Sequence, residues 1–145
     1  MTESTTKNVY IMAKKIFINL PVADLEKEME FYTKIGFTNN PVFTDDTAAC
    51  MVLSEEIYVM LLTHDKFSQF TSKKIIDAQT GIGVINSISV DSPEEVHAMA
   101  DAALNAGGSE PGSPKDYGFM LQRSFTDLDG NHWEVLYMDM SKFPG

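Results

Sequence analysis

The chain has 145 residues and a formal net charge of -10 at pH 7. This length fits one compact domain, and the acidic balance argues against nucleic acid or an anionic membrane as a partner. No apolar run approaches the roughly 20 residues needed to cross a bilayer, and the first residues lack the pattern of a secretory signal. A single cysteine, Cys50, excludes an internal disulfide framework and is typical of the reducing cytoplasm.

The first half of the chain predicts a strand, a helix and three further strands. Alternating apolar residues over 16–20 predict the first strand, which Pro21 ends. Asp24 is a helix cap, and an apolar stripe with Gly36 at its end predicts a helix over 25–35. Three strands are predicted next, over 37–43 with an interruption near Asn39-Asn40-Pro41, over 48–53 and over 57–63. The last of them is nearly all apolar, which predicts burial on both faces.

The same order of elements recurs in the second half of the chain. A predicted strand over 84–90 precedes Ser92-Pro93, which is typical of a helix start, and Gly107-Gly108 ends that helix. A strand is predicted over 120–126, and another follows the turn at Asp129-Gly130. The recurrence indicates an internal duplication, and such a repeat decides the fold.

The duplicated unit has the order βαβββ, and both copies belong to one predicted domain over 15–139. The predicted boundaries are 1–14 for an N-terminal extension, 15–63 and 84–139 for the two units, 64–83 for their connection and 140–145 for a tail. Apolar residues in the connection predict a short helix or a folded flap. The predicted fold class is α+β, with a mostly antiparallel sheet and helices on its outer side.

The stretch 127–138 carries the strongest signal for a polar site. After the Asp-Gly turn, alternation places His132, Glu134 and Leu136 on one face of the predicted strand. The other face carries three residues that suit a core: Trp133, Val135 and Tyr137. Glu134 is therefore the first candidate for a functional polar group.

Three short motifs occur in a fixed order within the duplicated units. They are Leu20-Pro21-Val22-Ala23-Asp24-Leu25, Phe31-Tyr32 followed by Gly36-Phe37, and Asp127-Leu128-Asp129-Gly130-Asn131 followed by Trp133-Glu134. In this order the chain resembles the vicinal oxygen chelate superfamily, which includes glyoxalase I, extradiol dioxygenases and bleomycin resistance proteins. The resemblance implies that the paired units form a cup with ligand inside and helices outside, and that the protein is a homodimer.

The resemblance also implies where a catalytic metal would be held. Metal-using members place one His, Glu or Gln ligand on each of up to four strands, and the matching positions here are Phe17, Met60, Ile85 and Glu134. Phe and Ile offer no donor atom, and a Met sulfur is a soft ligand that suits copper(I). A catalytic metal needs several protein ligands, so we expect no cofactor. A divalent metal is the less favoured alternative.

The cup is therefore expected to bind a small organic molecule through an apolar lining with a few polar groups. The expected ligand-binding residues are Phe17, Asn19, Tyr58, Met60, Ile85, Ser87 and Glu134. Within this lining Glu134 is either a polar anchor or general base, or a carboxylate that its neighbours satisfy. Arg123 either recognises a ligand carboxylate or forms a surface salt bridge.

Three functions stay open on the sequence, because one fold hosts unrelated functions. The first is metal-independent binding of a small organic molecule. The second is a lyase, isomerase or dioxygenase that uses Glu134, either with a metal or, without one, together with Tyr58 or His132. The third is a structural or regulatory dimer with a filled interior.

Overall fold

A computed structural model of the chain describes residues 14–145, so the predicted extension, apart from Lys14, lies outside the described residues. The elements in chain order are β1 (Ile16–Val22), α1 (Leu25–Lys34), β2 (Thr38–Asn40), β3 (Ala48–Val52), β4 (Ile57–Thr63), α2 (His64–Phe67), β5 (Ile85–Ser89), α3 (Pro93–Asn105), β6 (Lys115–Asp116), β7 (Met120–Thr126) and β8 (His132–Met138). Short 3-10 turns follow β2 and β8. In this part of the chain no helix has the length and apolar character to cross a membrane.

The strands form two four-stranded sheets with the orders β1-β4-β3-β2 and β5-β8-β7-β6. In each sheet the first strand of the unit pairs parallel with its last strand, and the other pairs are antiparallel. The two orders are equivalent, which confirms the predicted duplication and the α+β class with helices outside the sheets. The connection, predicted to form a short helix or a folded flap, begins with the short helix α2.

Both long helices begin at the predicted caps. Asp24 accepts a hydrogen bond from the backbone N–H of Lys27 at 3.1 Å, and α1 then buries Leu25, Phe31 and Tyr32. Ser92 accepts from the backbone N–H of Glu95 at 3.1 Å at the start of α3. These bonds satisfy N–H groups that have no partner inside the helix, so the local sequence fixes where each helix begins.

Two predicted strand boundaries are wrong. β1 continues past Pro21, because β1 is at the edge of its sheet, where a proline leaves no inter-strand hydrogen bond unmade. The strand predicted over 37–43 ends at its predicted interruption and is not resumed, so only β2 forms. The Asn40 side chain accepts from the backbone N–H of Val42 at 3.0 Å, and this bond begins a 3-10 turn over Pro41–Phe43.

One hydrophobic core joins the two units. The Tyr32 ring in α1 lies edge-on to Trp133 in β8, with ring centroids 6.1 Å apart, and Phe37 contacts the same ring at 6.1 Å. Phe31 contacts Phe125 in β7 at 6.5 Å. The first helix therefore packs on the second sheet as well as its own, and this packing fixes the two units relative to each other.

Candidate functional site

The two faces of β8 differ in burial as the alternation predicted. Trp133 and Val135 are fully buried in the core, whereas Glu134 is half-buried on the opposite face. Glu134 Oε1 accepts a hydrogen bond from Ser87 Oγ at 2.9 Å, and Ser87 is directly opposite it on β5. The structure thus brings Ser87 and Glu134 together, and it gives this carboxylate one neutral partner.

A second group of predicted residues lies on β1 and β4 of the first sheet. The Phe17 ring stacks on Tyr58 with centroids 4.5 Å apart, and the Tyr58 hydroxyl donates to the Glu55 carbonyl at 2.9 Å. Asn19 is paired in register with Met60. Since Tyr58 and Met60 are only half-buried, the prediction that β4 is buried on both faces is wrong.

The seven predicted ligand-binding residues therefore form two groups, one on each sheet. Within residues 14–145 no hydrogen bond or aromatic contact connects the group on the first sheet with Ile85, Ser87 and Glu134. Phe17 and Ile85 are 52% and 48% exposed. Each sheet thus presents a partly apolar open face.

The four positions that the superfamily uses for metal ligands do not fit a divalent cation. Phe17 and Ile85 offer no donor atom, Met60 offers a soft sulfur, and Glu134 is a single carboxylate hydrogen-bonded to Ser87. Among the described residues, three acidic side chains lie close enough together to share an ion, and none of them is at these four positions. The residues at these four positions therefore do not support metal-assisted chemistry at Glu134.

That group consists of Glu28, Asp127 and Asp129, whose carboxylate oxygens lie within 4.8 Å of one another. Asp127 is buried and accepts four hydrogen bonds: from Tyr32 Oη at 2.7 Å, from the backbone N–H groups of Asp129 and Asn131 at 3.0 and 2.8 Å, and from Asn131 Nδ2 at 2.9 Å. These donors use all the lone pairs of the carboxylate. The Asp-x-Asp-Gly-Asn turn is thereby held against α1.

Glu28 is the buried polar residue that the sequence reasoning missed. It is 1% exposed, its Oε2 accepts from the backbone N–H of Asp129 at 3.1 Å, and its Oε1 has no partner in the described structure. Burial, followed by hydrogen bonding to the Asp129 side chain and the charge of Asp127, raises the pKa of Glu28 to about 10. The sequence held one indication of this burial: Glu28 lies three residues from both Leu25 and Phe31, so it is on their side of the helix.

A cavity of about 620 Å³ lies between the connection and the strands β1 and β5. We call it the connection cavity. Its walls are residues 18–21, much of the segment 64–83, residues 84 and 86, and residues 129–132. Of the seven predicted ligand-binding residues, Asn19 lines it. His64 and His132 line it as well.

Arg123 forms salt bridges within the protein. Its guanidinium donates to both carboxylate oxygens of Glu110 at 3.0 Å and to Asp101 at 2.9 Å. It is 7% exposed, and it lies two residues before Phe125 on β7, so its side chain leaves the same face of the strand as that core residue. Of the two sequence alternatives, the structure shows the salt bridge.

Comparison with known proteins gives matches of fold and family. A family model described as bleomycin resistance protein-like N-terminal matches residues 14–54. The solved structure of hypothetical protein SA1046 from S. aureus is 26% identical, with a TM-score of 0.72 over 90% of this chain and 98% of that chain. No curated protein matches the sequence.

Two further solved structures have lower identity. A glyoxalase/bleomycin resistance protein/dioxygenase family enzyme from Burkholderia phytofirmans PsJN is 17% identical, with a TM-score of 0.71 over 87% of this chain and 99% of that chain. The fosfomycin resistance protein FosX from Listeria monocytogenes is 17% identical, with a TM-score of 0.62 over 88% and 92% of the two chains. At this identity they show the fold alone.

The fold of two paired βαβββ units is that of the glyoxalase/bleomycin resistance/dioxygenase proteins. The family model over residues 14–54 and the solved structures that share this fold support the resemblance to the vicinal oxygen chelate superfamily predicted from the motifs.

Proposed function

We propose that this protein binds a small organic molecule in the connection cavity and does so without a catalytic metal. The supporting observation is the cavity itself, whose volume of about 620 Å³ is within the range of small-molecule sites. Apolar side chains such as Ile18, Phe67 and Ile82 line it together with a few polar groups, among them Asn19 and Asn86. A site of this kind binds by apolar contact and orients its ligand through the polar groups.

A thermal-shift screen tests this proposal, because a ligand that binds the native state must raise the unfolding temperature. The matched variants are Ile82→Trp, which narrows the cavity, and Leu104→Trp, which adds the same side chain to an exposed position in α3. We expect stabilising compounds for the wild type and Leu104→Trp, and weaker or no stabilisation of Ile82→Trp. Ligands that stabilise all three equally would contradict binding in this cavity.

The metal-free part of the proposal has its own test. Elemental analysis of protein purified without chelator is combined with titration of zinc, nickel, manganese and iron(II). We expect no stoichiometric binding that depends on Glu134, because the surrounding positions offer too few donor atoms. Tight binding that is lost in Glu134→Ala would instead support the metal-dependent enzyme.

We also propose a homodimer in which a second copy covers the open faces of the two sheets. Large exposed apolar side chains lie on both faces, with Phe17 52% and Ile85 48% exposed. Contiguous exposed apolar surface is typical of interaction sites. In light-scattering experiments we expect a dimer for the wild type and for Val42→Asp, whose residue is exposed elsewhere, and a monomer for Phe17→Asp with Ile85→Asp. A monomeric wild type would exclude this arrangement.

The cytoplasmic location predicted from the sequence is part of the same proposal. Cys50 is buried, and burial raises the pKa of its thiol. A buried neutral thiol is unreactive, which agrees with a protein that needs no disulfide. Cell fractionation tests the location, and recovery of the protein outside the cytoplasm would contradict it.

A further inference from the structure

We propose that the ligand of the connection cavity is an amphipathic anion, with an oxyanion such as a carboxylate on an apolar body. This inference rests on the proposed function, because it requires that the cavity binds a ligand, and it adds the chemical class of that ligand. It follows from the contrast between the hydrogen-bond donors and the acceptors of the cavity wall.

Four side chains of the cavity wall can donate hydrogen bonds and have no side-chain partner among the described residues. Lys73, Lys74, His64 and His132 line the cavity. No carboxylate of residues 14–145 is within ion-pair distance of either lysine, and neither imidazole takes part in a hydrogen bond among these residues. Lysine ammonium groups and imidazole N–H groups donate to oxyanions, and bonds to a charged partner are the strong ones.

The acidic groups of the wall are already engaged. Asp77 Oδ1 accepts from the backbone N–H of Gln79 at 2.9 Å, and Asp129 Oδ1 accepts from the backbone N–H of Ala23 at 3.0 Å. Each of these carboxylates therefore has one oxygen bonded to a backbone N–H. The wall consequently has cationic and imidazole donors without partners, whereas each acidic group has one oxygen already bonded, and this contrast favours an acceptor-rich anion over a cation.

The rest of the wall determines the body of the ligand. Ile18, Leu20, Phe67, Ile76 and Ile82 present apolar surface to the cavity. Apolar area removed from water contributes about 25 cal/mol per Å², so an alkyl or aromatic body supplies the bulk of the affinity. The lysines add selectivity for the head group.

Three probes with one alkyl chain and different head groups test the inference: octanoate, 1-octanol and octylamine. Binding is measured by calorimetry at low and high NaCl with wild-type protein, with Lys73→Ala/Lys74→Ala, and with Lys27→Ala/Lys34→Ala. The last variant removes the same charge from α1, away from the cavity.

We expect octanoate to bind wild type most tightly and to weaken about 2- to 30-fold in Lys73→Ala/Lys74→Ala, since exposed ion pairs contribute about 0.2 to 1 kcal/mol each. The control variant should retain wild-type affinity. Salt should weaken octanoate but not octanol.

The possible failures are distinct. Equal binding of octanoate and octanol, with no effect of the lysine substitutions, would overturn the anion and leave the cavity as a ligand site. Preference for octylamine would overturn the anion directly. No binding of any probe, together with a negative thermal-shift screen, would overturn the proposed function itself.

Discussion

Two glutamates in this protein have opposite surroundings. Glu134 lies on the open face of the second sheet, half-buried, and accepts one hydrogen bond from Ser87. Glu28 lies in the contact between α1 and the Asp127–Asn131 turn, 1% exposed, with one carboxylate oxygen unpartnered. The family pattern draws attention to the first, whereas burial and electrostatics act on the second. A position in a family motif therefore does not indicate how strongly the protein constrains a carboxylate.

The largest effect is expected for Asp127→Ala, which removes the acceptor at the centre of the buried turn. Tyr32 Oη, the Asn131 side chain and two backbone N–H groups lose their partner. Leaving buried donors unsatisfied costs about 1 to 3 kcal/mol each before relaxation. We expect the free energy of unfolding in urea to fall by about 3 kcal/mol or more.

The control for Asp127→Ala is Asp45→Ala. Asp45 also accepts three hydrogen bonds, from Thr47 and Ala48, but it is exposed to solvent. Water replaces these bonds when the carboxylate is removed, so the loss of stability should be clearly smaller. Equal losses for the two variants would show that burial does not distinguish the two carboxylates.

The next effect in size is the pH dependence that Glu28 confers on stability. Its pKa is raised to about 10 in the folded protein, from an ordinary value of 4.5, mainly by burial. Between these values the folded state keeps a proton that the unfolded state has lost. The free energy of unfolding therefore decreases as pH rises, by up to about 1.4 kcal/mol per pH unit.

Glu28→Gln tests this sign, because a neutral amide of similar shape has no proton to lose. We expect the variant and wild type to have similar stability near pH 4.5, and the variant to become more stable than wild type as the pH is raised toward 9. Part of the decrease should remain in the variant, since burial also raises the pKa of Asp127. A wild type that gains stability over this range relative to Glu28→Gln would contradict a neutral Glu28.

Much of the fold could be predicted from local signals, and much of the site could not. Alternation along β8 correctly separated Trp133 from Glu134, and caps such as Asp24 and Ser92 marked both long helices. The connection cavity depends on how a segment without periodicity folds over β1, which no local pattern encodes.

The role of Glu28 could not be predicted from the sequence either, because it depends on contacts between distant parts of the chain. Its helical spacing places it on the buried side of α1, but its partner Asp129 is 101 positions away in the chain. A charged residue is exposed unless a partner is available, and only the packed structure shows that partner. For the same reason the link from Tyr32 to Asp127, 95 positions apart, was not predicted.

The smallest effect is expected for Glu134→Gln. The Ser87 hydroxyl can donate to an amide oxygen as it does to the carboxylate, and the site is open to solvent on one side. We expect the free energy of unfolding to change by less than about 0.5 kcal/mol. A change as large as that of Glu28→Gln would mean that the carboxylate of Glu134 is constrained in the assembled protein. The contrast between the two glutamates would then hold for the isolated chain but not for the assembly. If the small effect is found while ligand binding is retained, Glu134 is a satisfied side chain of the sheet, and the binding chemistry belongs to the connection cavity.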